Sequence, residues 1–178
     1  FEEREAAPYD AEAVKKHLKE RKAFAPPHAG CPGSRAAFIS RENDAKSTDQ
    51  PFTPSPGRLS QWPVQIKLVP VGAPYFNGAD LLIAADCTAF AYGSFHEDFI
   101  KGRITLIGCP KLDGIDYSEK LAAIISGNDI KSITAVRMQV PCCGGLVNAV
   151  SEAIRMSCKD LSLRTVIISP DGMIVGDR

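Results

Sequence analysis

Short apolar runs separated by amphipathic stretches dominate the sequence from residue 64 onward. Runs of this length that are rich in β-branched side chains are typical of strands covered on both faces, as in a parallel sheet. The first run alternates apolar and polar residues at its start, which predicts a strand with one exposed face. The predicted strands are residues 64–69, 80–85, 104–107, 133–138 and 164–168.

Helical periodicity falls between these strands. Residues 117–125 and residues 146–154 each place four apolar side chains at positions i, i+4, i+7 and i+8, which predicts two amphipathic helices. A weaker candidate spans residues 88–100, where Phe95 and Phe99 stand four residues apart. Alternation of strands and helices predicts right-handed βαβ units.

The predicted fold class is therefore α/β: a Rossmann-like, doubly wound, mainly parallel sheet of about five strands with flanking helices. The dipeptide Asp171-Gly172 predicts a hairpin turn, because these residues favour tight turns between antiparallel strands. Its second strand would be residues 173–175.

The first third of the chain has a different pattern. Residues 10–23 predict a surface helix with lysines and arginines in its later turns, and residues 24–63 hold seven of the thirteen prolines. We therefore divide the chain into residues 1–63, an N-terminal helix and a proline-rich connecting segment, and residues 64–178, the α/β domain.

Charge and hydropathy exclude some partners. The chain has 21 basic and 21 acidic residues, so no net charge draws it to nucleic acid or anionic lipid. No apolar stretch approaches the length that crosses a membrane, and no cationic and apolar leader opens the sequence. We expect a cytoplasmic protein with neither nucleic acid nor membrane as a partner; its oligomeric state is left open.

Four of the six cysteines follow predicted strands. Cys87 follows residues 80–85, Cys109 follows residues 104–107, and Cys142 and Cys143 follow residues 133–138. Because open α/β sheets build their sites at the carboxyl ends of the strands, we expect these four thiols to converge. A disulfide framework is disfavoured, since such scaffolds are usually short secreted chains with small cores.

Converging thiols admit three kinds of chemistry. Zinc usually takes Cys-x-x-Cys pairs, which this sequence lacks. An iron–sulfur cluster accepts thiolates from several directions, and the sequence Cys142-Cys143-Gly144-Gly145 offers two of them at a glycine-rich turn into a helix. A metal-free redox pair of thiols is the third option.

The remaining cysteines differ from each other in context. Cys31 lies in the proline-rich segment and, like Cys109, precedes a proline; it could act as a further ligand or as a lid, with His28 near it. Cys158 lies at the far end of the last long helix and is interpreted as a thiol without a role in the site.

Five motifs together resemble a family of anaerobe iron–sulfur proteins, described as 4Fe-4S ferredoxin-type cluster-binding proteins. The resemblance covers residues from about 28 to 170. The motifs are SQWPVQ (60–65), AADC (84–87), FHEDF (95–99), IGCPKLD (107–113) and VPCCGG (140–145). In that family a two-cluster ferredoxin module precedes this domain, so the chain resembles the C-terminal α/β domain without its module.

The resemblance implies a cluster ligated by the cysteines that match the family's own, which are Cys87, Cys109, Cys142 and Cys143, with Cys31 close behind. It also implies electron exchange with a ferredoxin module or a ferredoxin-like donor. More than four thiols would allow a 4Fe-4S cluster or a larger, uncommon one. An iron without a thiolate would make the domain an oxidoreductase of a small molecule, whereas full ligation would make it an electron relay.

Two alternatives stay open at this point: a metal-free cysteine-based redox enzyme or sensor, and a zinc-stabilised interaction module. The roles of the charged groups near the cysteines also stay open. His96, Glu97 and Asp98 could deliver protons or form a solvated helix face. Asp86 and Lys111 could tune the charge of the site or simply face water.

Overall fold

The computed structural model describes residues 56–178. The predicted helix at residues 10–23, most of the proline-rich segment, His28 and Cys31 lie outside the described residues.

A single five-stranded sheet forms the centre of the described fold, in the order β2-β1-β3-β4-β5. The first four strands run parallel, and β5 pairs antiparallel with β4. This is the predicted Rossmann-like, mainly parallel architecture. The strands are β1 (Ala79–Ala85), β2 (Ile104–Gly108), β3 (Ile130–Met138), β4 (Leu163–Ile168) and β5 (Ile174–Asp177).

Helices connect the parallel strands and cover the sheet. The two longer ones, predicted from their periodicity, pack against each other and bury the apolar faces that the periodicity indicated. The helices are α1 (Thr88–Ala91), α2 (Pro110–Asp113), α3 (Ser118–Gly127) and α4 (Gly144–Ser157), with a π-helix at His96–Ile100. No helix within residues 56–178 is long and apolar enough to cross a membrane.

The predicted strand at residues 64–69 is wrong. Only Gln65 forms a bridge, to Ile107 of β2, and the chain then turns because the backbone N–H groups of Leu68 and Val69 bond back to the carbonyl of Gln65. Ile66 and Val69 are buried through this turn, three residues apart. These two apolar residues are therefore buried by a turn and not along one face of an extended strand.

The weaker helix candidate at residues 88–100 is interrupted. Gly93 and Ser94 separate α1 from the π-helix, because both residue types lower the stability of a helix interior. Phe95 and Phe99 nevertheless pack together in the core, with ring centroids 5.1 Å apart.

The predicted hairpin between β4 and β5 is confirmed. The backbone N–H of Gly172 bonds to the carbonyl of Ser169, and Gly172 has a φ of +88°, a conformation that favours glycine. A β-carbon at this position would overlap the carbonyl oxygen of Ala91, so the tip of the hairpin lies directly against the end of α1.

Candidate functional site

The predicted cysteines follow the carboxyl ends of three adjacent strands. Cys87 follows β1, Cys109 follows β2, and Cys142 and Cys143 form a short 3-10 turn after β3. Because β1 lies between β2 and β3, the three strand ends are neighbours. The chain first adds β2 on one side of β1 and then crosses to add β3 on the other side. Open α/β sheets place their ligand sites at such a reversal, which here lies between β1 and β3.

The effects of neighbouring cysteines on the pKa values of Cys87 and Cys143 place the four thiols near one another. Burial raises the pKa of Cys87, and Cys109, Asp86 and Cys142 raise it further. Burial also raises the pKa of Cys143 to about 11, with smaller contributions from Cys142 and Cys87. The pKa values of Cys87 and Cys143 are therefore both affected by thiols that follow other strands.

The thiols differ in how far they reach the solvent. Cys87 is exposed, Cys109 and Cys142 are half-buried, and Cys143 is buried. All four are free thiols. A ligand can therefore reach this edge of the sheet from the solvent on the side of Cys87.

The amino end of α4 faces the thiol pair. Cys143 is the N-cap residue of this helix, and no side chain within residues 56–178 caps its first N–H groups. A side chain at Gly144 would meet no described atom within 4 Å, so space is open at the start of the helix. The N–H of Gly144 itself donates to the carbonyl of Pro141 in the preceding 3-10 turn, and any further free N–H groups at the helix start would favour negatively charged ligands and thiolates.

The loops that carry Cys109 and Cys143 also touch. A β-carbon at Gly145 would lie 3.5 Å from the side chain of Pro110, an ordinary contact distance. Helix α2 likewise packs against the 3-10 turn of Cys142 and Cys143. The thiol positions are thus fixed against each other by packing.

A small polar network, which the sequence did not reveal, lies beside the thiols. The hydroxyl of Tyr117 donates a hydrogen bond to Asp113, and burial raises the pKa of Tyr117 well above its usual value. Burial raises the pKa of Asp86 too; Asp113 adds to this, and a hydrogen bond with the Gln65 side chain opposes it. Among the described residues, Oδ1 of Asp86 has no hydrogen-bond partner.

The side chains of residues 96–98, at the start of the π-helix, bond to residues other than the cysteines. Nδ1 of His96 accepts a hydrogen bond from the backbone of Arg58, and Glu97 pairs with the side chains of Arg58 and Lys101. The hydroxyl of Tyr92 donates to Asp98. These contacts form a hydrogen-bonded and ion-paired surface on the π-helix. The sequence had left open either a solvated helix face or a role in proton delivery.

An open cleft of about 510 Å³ borders the thiol edge. Pro110, which follows Cys109, and Gly145, which follows the thiol pair, form part of its wall. Asp116 and Glu152 supply carboxylates to the same wall. The cleft is large enough for a small molecule.

Cys158 lies away from this group. It follows the last residue of α4, a helix of fourteen residues, so about 21 Å of helix separates it from the thiol pair. It is exposed and adopts a left-handed backbone conformation at the helix end. Its position agrees with the interpretation that it has no role in the site.

Within residues 56–178, no three His, Cys, Asp or Glu side chains are arranged to hold a single metal ion. The roles of Cys87, Cys109, Cys142 and Cys143 as ligands therefore stay a prediction, and Cys31 lies outside the described residues.

Comparison with known proteins identifies the fold. The model of a Rossmann-like domain family matches residues 73–178. An uncharacterized protein of Archaeoglobus fulgidus is 32% identical over 117 residues, which cover 65% of this chain and 82% of that protein. No solved structure matches. The family match lies within the α/β domain, and neither match carries a statement about a metal or a reaction.

Proposed function

This chain belongs to the Rossmann-like domain family, and from that premise we propose that it binds an iron–sulfur cluster at the carboxyl edge of its sheet and transfers electrons. Cys87, Cys109, Cys142 and Cys143 would be the thiolate ligands. Cys31 would be a fifth thiol that completes or replaces one of them.

The observation that carries this proposal is the placement of four thiols after three neighbouring strands, close enough to affect the pKa values of Cys87 and Cys143. Cys87 interacts with Cys109 and Cys142, and Cys143 interacts with Cys142. Cysteine is often buried one residue at a time for packing alone, but four interacting thiols at one sheet edge need another reason. Soft thiolate donors suit iron–sulfur clusters.

The surroundings of the thiols also fit a bulky anionic group. The first N–H groups of α4 have no side-chain cap among the described residues, and the space at Gly144 is open. Backbone N–H groups stabilise the sulfides and thiolates of a cluster. A bound cluster would supply reversible one-electron transfer.

The chain's own residues would set the conditions for binding. Burial of Cys143 keeps this thiol protonated in the metal-free protein, so iron would displace a proton when it binds. The contact between Gly145 and Pro110 holds the loop of Cys109 against the start of α4, which limits how far the thiolates can move apart. Metal uptake would therefore depend on pH and on the packing of these two loops.

The metal-free alternative receives less support from the thiols. A nucleophilic or redox-active cysteine usually has a lowered pKa, since the thiolate is the reactive form. Burial instead raises the pKa of Cys87 and of Cys143. The zinc alternative would need four ligands around one ion, whereas a cluster distributes its thiolates over several irons.

A small molecule could bind in the cleft that Pro110 and Gly145 border, next to the loops of Cys109 and Cys143. Reduction of such a molecule would require one iron without a thiolate ligand. With full ligation, the domain would relay electrons to or from a ferredoxin module or a ferredoxin-like protein. In a 4Fe-4S cluster the first outcome would leave one of the four cysteines unbound, and the second would use all four.

Anaerobic purification tests the proposal directly. We expect several irons and sulfides per chain and a broad visible absorption that bleaches on reduction with dithionite. A colourless protein that contains stoichiometric zinc, or whose thiols all react with a thiol reagent, would contradict the proposal and support the corresponding alternative.

Single Cys→Ser variants identify the ligands. Cys109→Ser should lower the iron content or change the spectrum, because it removes one of the proposed thiolates. Cys158→Ser is the matched control, since Cys158 is exposed at the far end of α4, and it should leave both unchanged. Equal effects of the two variants would rule out the proposed ligand set; Cys31→Ser then tests the fifth thiol.

A further inference from the structure

One carboxylate oxygen at the thiol edge is buried and has no hydrogen-bond partner. This atom is Oδ1 of Asp86, and nothing within residues 56–178 donates a hydrogen bond to it. The side chain of Gln65 gives the carboxylate one hydrogen bond, which leaves Oδ1 without a donor. Because burial of such an oxygen costs stability, its presence in a folded protein calls for an explanation, and a bound group is one.

Asp86 continues β1 into the group of thiols. Ala85, the last residue of β1, lies opposite Gly108 of β2, and the backbone N–H of Asp86 donates to the carbonyl of Gly108 at 3.3 Å. The same parallel register, extended by one residue, places Asp86 beside Cys109, and Cys87 follows Asp86 in the sequence. Since β1 lies between β2 and β3, Asp86 stands in the middle of the edge to which we assign the cluster.

The acidic and phenolic neighbours of Asp86 are engaged with other groups. Asp113 raises the pKa of Asp86, and Asp86 raises the pKa of Tyr117, so these three side chains lie close together. The hydroxyl of Tyr117 donates its hydrogen bond to Asp113, and Nζ of Lys67 lies 4.0 Å from the same carboxylate. A hydrogen bond from Tyr117 to Asp86 would therefore break an existing one.

A carboxylate oxygen without a donor suits a metal ligand. Iron accepts oxygen as well as sulfur ligands, and in a cluster the harder carboxylate holds it less tightly than a thiolate does. Among the residues that the structure describes, no three His, Cys, Asp or Glu side chains are arranged for a single ion. Asp86 would therefore join the thiolates only around a group that contains several irons.

We propose that Oδ1 of Asp86 ligates one iron of the cluster in place of a thiolate, and that a small molecule binds at this iron. The inference rests on the proposed function and identifies the open iron that the proposed function leaves unassigned. In a 4Fe-4S cluster, Asp86 takes the place of one of the four cysteines. Binding is a ligand exchange without oxidation or reduction: a lone pair of the small molecule forms the new bond to iron, and the carboxylate leaves as an anion.

Anaerobic reconstitution of the full chain and its aspartate variants tests this ligand. Asp86→Cys offers a thiolate at the same position, and Asp86→Asn removes the charge with little change of shape. Asp113→Asn is the matched control, because it neutralises the neighbouring carboxylate while its amide oxygen can still accept the hydrogen bond of Tyr117. The readouts are the iron and sulfide content and the electron paramagnetic resonance spectrum of the reduced protein, with and without cyanide as a small ligand for open iron.

We expect cyanide to shift the spectrum of the unmodified chain and of Asp113→Asn. The spectrum of Asp86→Cys should not respond, because cyanide does not displace a thiolate as it displaces a carboxylate. Asp86→Asn should hold about three irons per chain where the unmodified chain holds about four, since a neutral amide is a poor ligand for iron in a cluster.

The metal-free protein shows whether Asp86 has a structural role instead. As a ligand, Asp86 keeps a buried charge at some cost to folding, so metal-free Asp86→Asn should unfold at the same urea concentration as the unmodified chain or at a higher one. A structural role predicts the opposite, because the variant would then lose stability with or without iron. A clear loss of stability would contradict the inference.

Failure of this inference differs from failure of the proposed function. If the unmodified chain takes up iron and sulfide but does not respond to cyanide, or if Asp86→Cys responds as Asp113→Asn does, Asp86 is not the ligand of an open iron and cluster binding by the cysteines stands. If the unmodified chain takes up no iron and sulfide, the proposed function is wrong and this inference is wrong with it.

Discussion

The phenol ring of Tyr117 fills the space into which a side chain at Gly108 would project. A β-carbon at residue 108 would lie 2.7 Å from the hydroxyl oxygen of Tyr117, closer than real β-carbons approach other atoms. Gly108 ends β2 and precedes Cys109, so its lack of a side chain allows a buried tyrosine to pack beside the thiols. The same tyrosine binds Asp113.

We predict that Gly108→Ala destabilises the protein by about 1–3 kcal/mol, because the added methyl group forces the ring of Tyr117 out of its position. Urea unfolding followed by circular dichroism measures this. Gly127→Ala is the control, since a β-carbon there meets no described atom within 4 Å. Equal stability of the two variants would show that Tyr117 moves without cost.

The hairpin between β4 and β5 provides a second prediction. Gly172→Ala should destabilise the protein by about 1–3 kcal/mol, because the alanine would need a positive φ and would also overlap Ala91. Gly102 also has a positive φ, at +73°, but a β-carbon there would meet no described atom within 4 Å.

Gly102→Ala therefore measures the cost of the backbone conformation alone, in the same unfolding experiment. The difference between the two variants gives the cost of the contact between the hairpin and α1. If the two losses are equal, the hairpin does not press against α1 in solution.

The regular elements were predictable from sequence because their signals are local. Helices α3 and α4 each repeat an apolar face, and strands β1 to β4 are apolar runs bounded by polar residues. The segment at residues 64–69 was mispredicted because a pair of apolar residues three apart, Ile66 and Val69, satisfies burial through a turn. A window of six residues cannot distinguish that turn from a strand.

The candidate site was only partly predictable. The positions of Cys87, Cys109 and the Cys142-Cys143 pair follow from topology, since each cysteine is placed after a strand and parallel strands end at one edge. The bond between Tyr117 and Asp113 depends on how α3 packs over the end of β2, which no local pattern specifies. Whether the cysteines hold a cluster stays a prediction.

The pairing of Arg164 with Asp177 predicts a pH dependence of stability. The guanidinium group of Arg164 donates two hydrogen bonds, of 2.9 Å and 2.7 Å, to the carboxylate of Asp177 across the β4–β5 pair, and these bonds lower the pKa of Asp177. Because the pKa is lower in the folded state, the stabilisation is present above the unfolded pKa and is lost as the pH falls through the folded value.

Asp177→Asn should therefore be less stable than the unmodified chain at neutral pH, by a small amount because the pair is exposed. The difference should begin to shrink below about pH 4, the ordinary pKa of an aspartate, and should be lost as the pH falls through the lower pKa of the folded protein. Unfolding free energies of both proteins, measured between pH 7 and pH 2, check this. A difference that grows toward low pH would contradict the assigned direction of the shift.

A substitution at Gly144 can distinguish an effect on folding from an effect on cluster binding. Gly144 has helical backbone angles, with φ −59° and ψ −34°, and a β-carbon there would meet no described atom within 4 Å. Gly144→Ala should leave the metal-free protein equally stable, or more stable by up to about 1 kcal/mol, since alanine favours helices over glycine. The methyl group would nevertheless stand beside Cys143 in the first turn of α4, where we propose that the cluster binds.

We therefore expect Gly144→Ala to fold normally and to take up at most about half as much iron as the unmodified chain, because one methyl group keeps the backbone N–H groups away from the sulfides. Chemical reconstitution with iron and sulfide, followed by metal analysis and a urea titration of the metal-free form, measures both properties. Gly127→Ala controls for a change from glycine to alanine elsewhere. Full iron uptake by Gly144→Ala would mean that no cluster occupies the space beside Gly144.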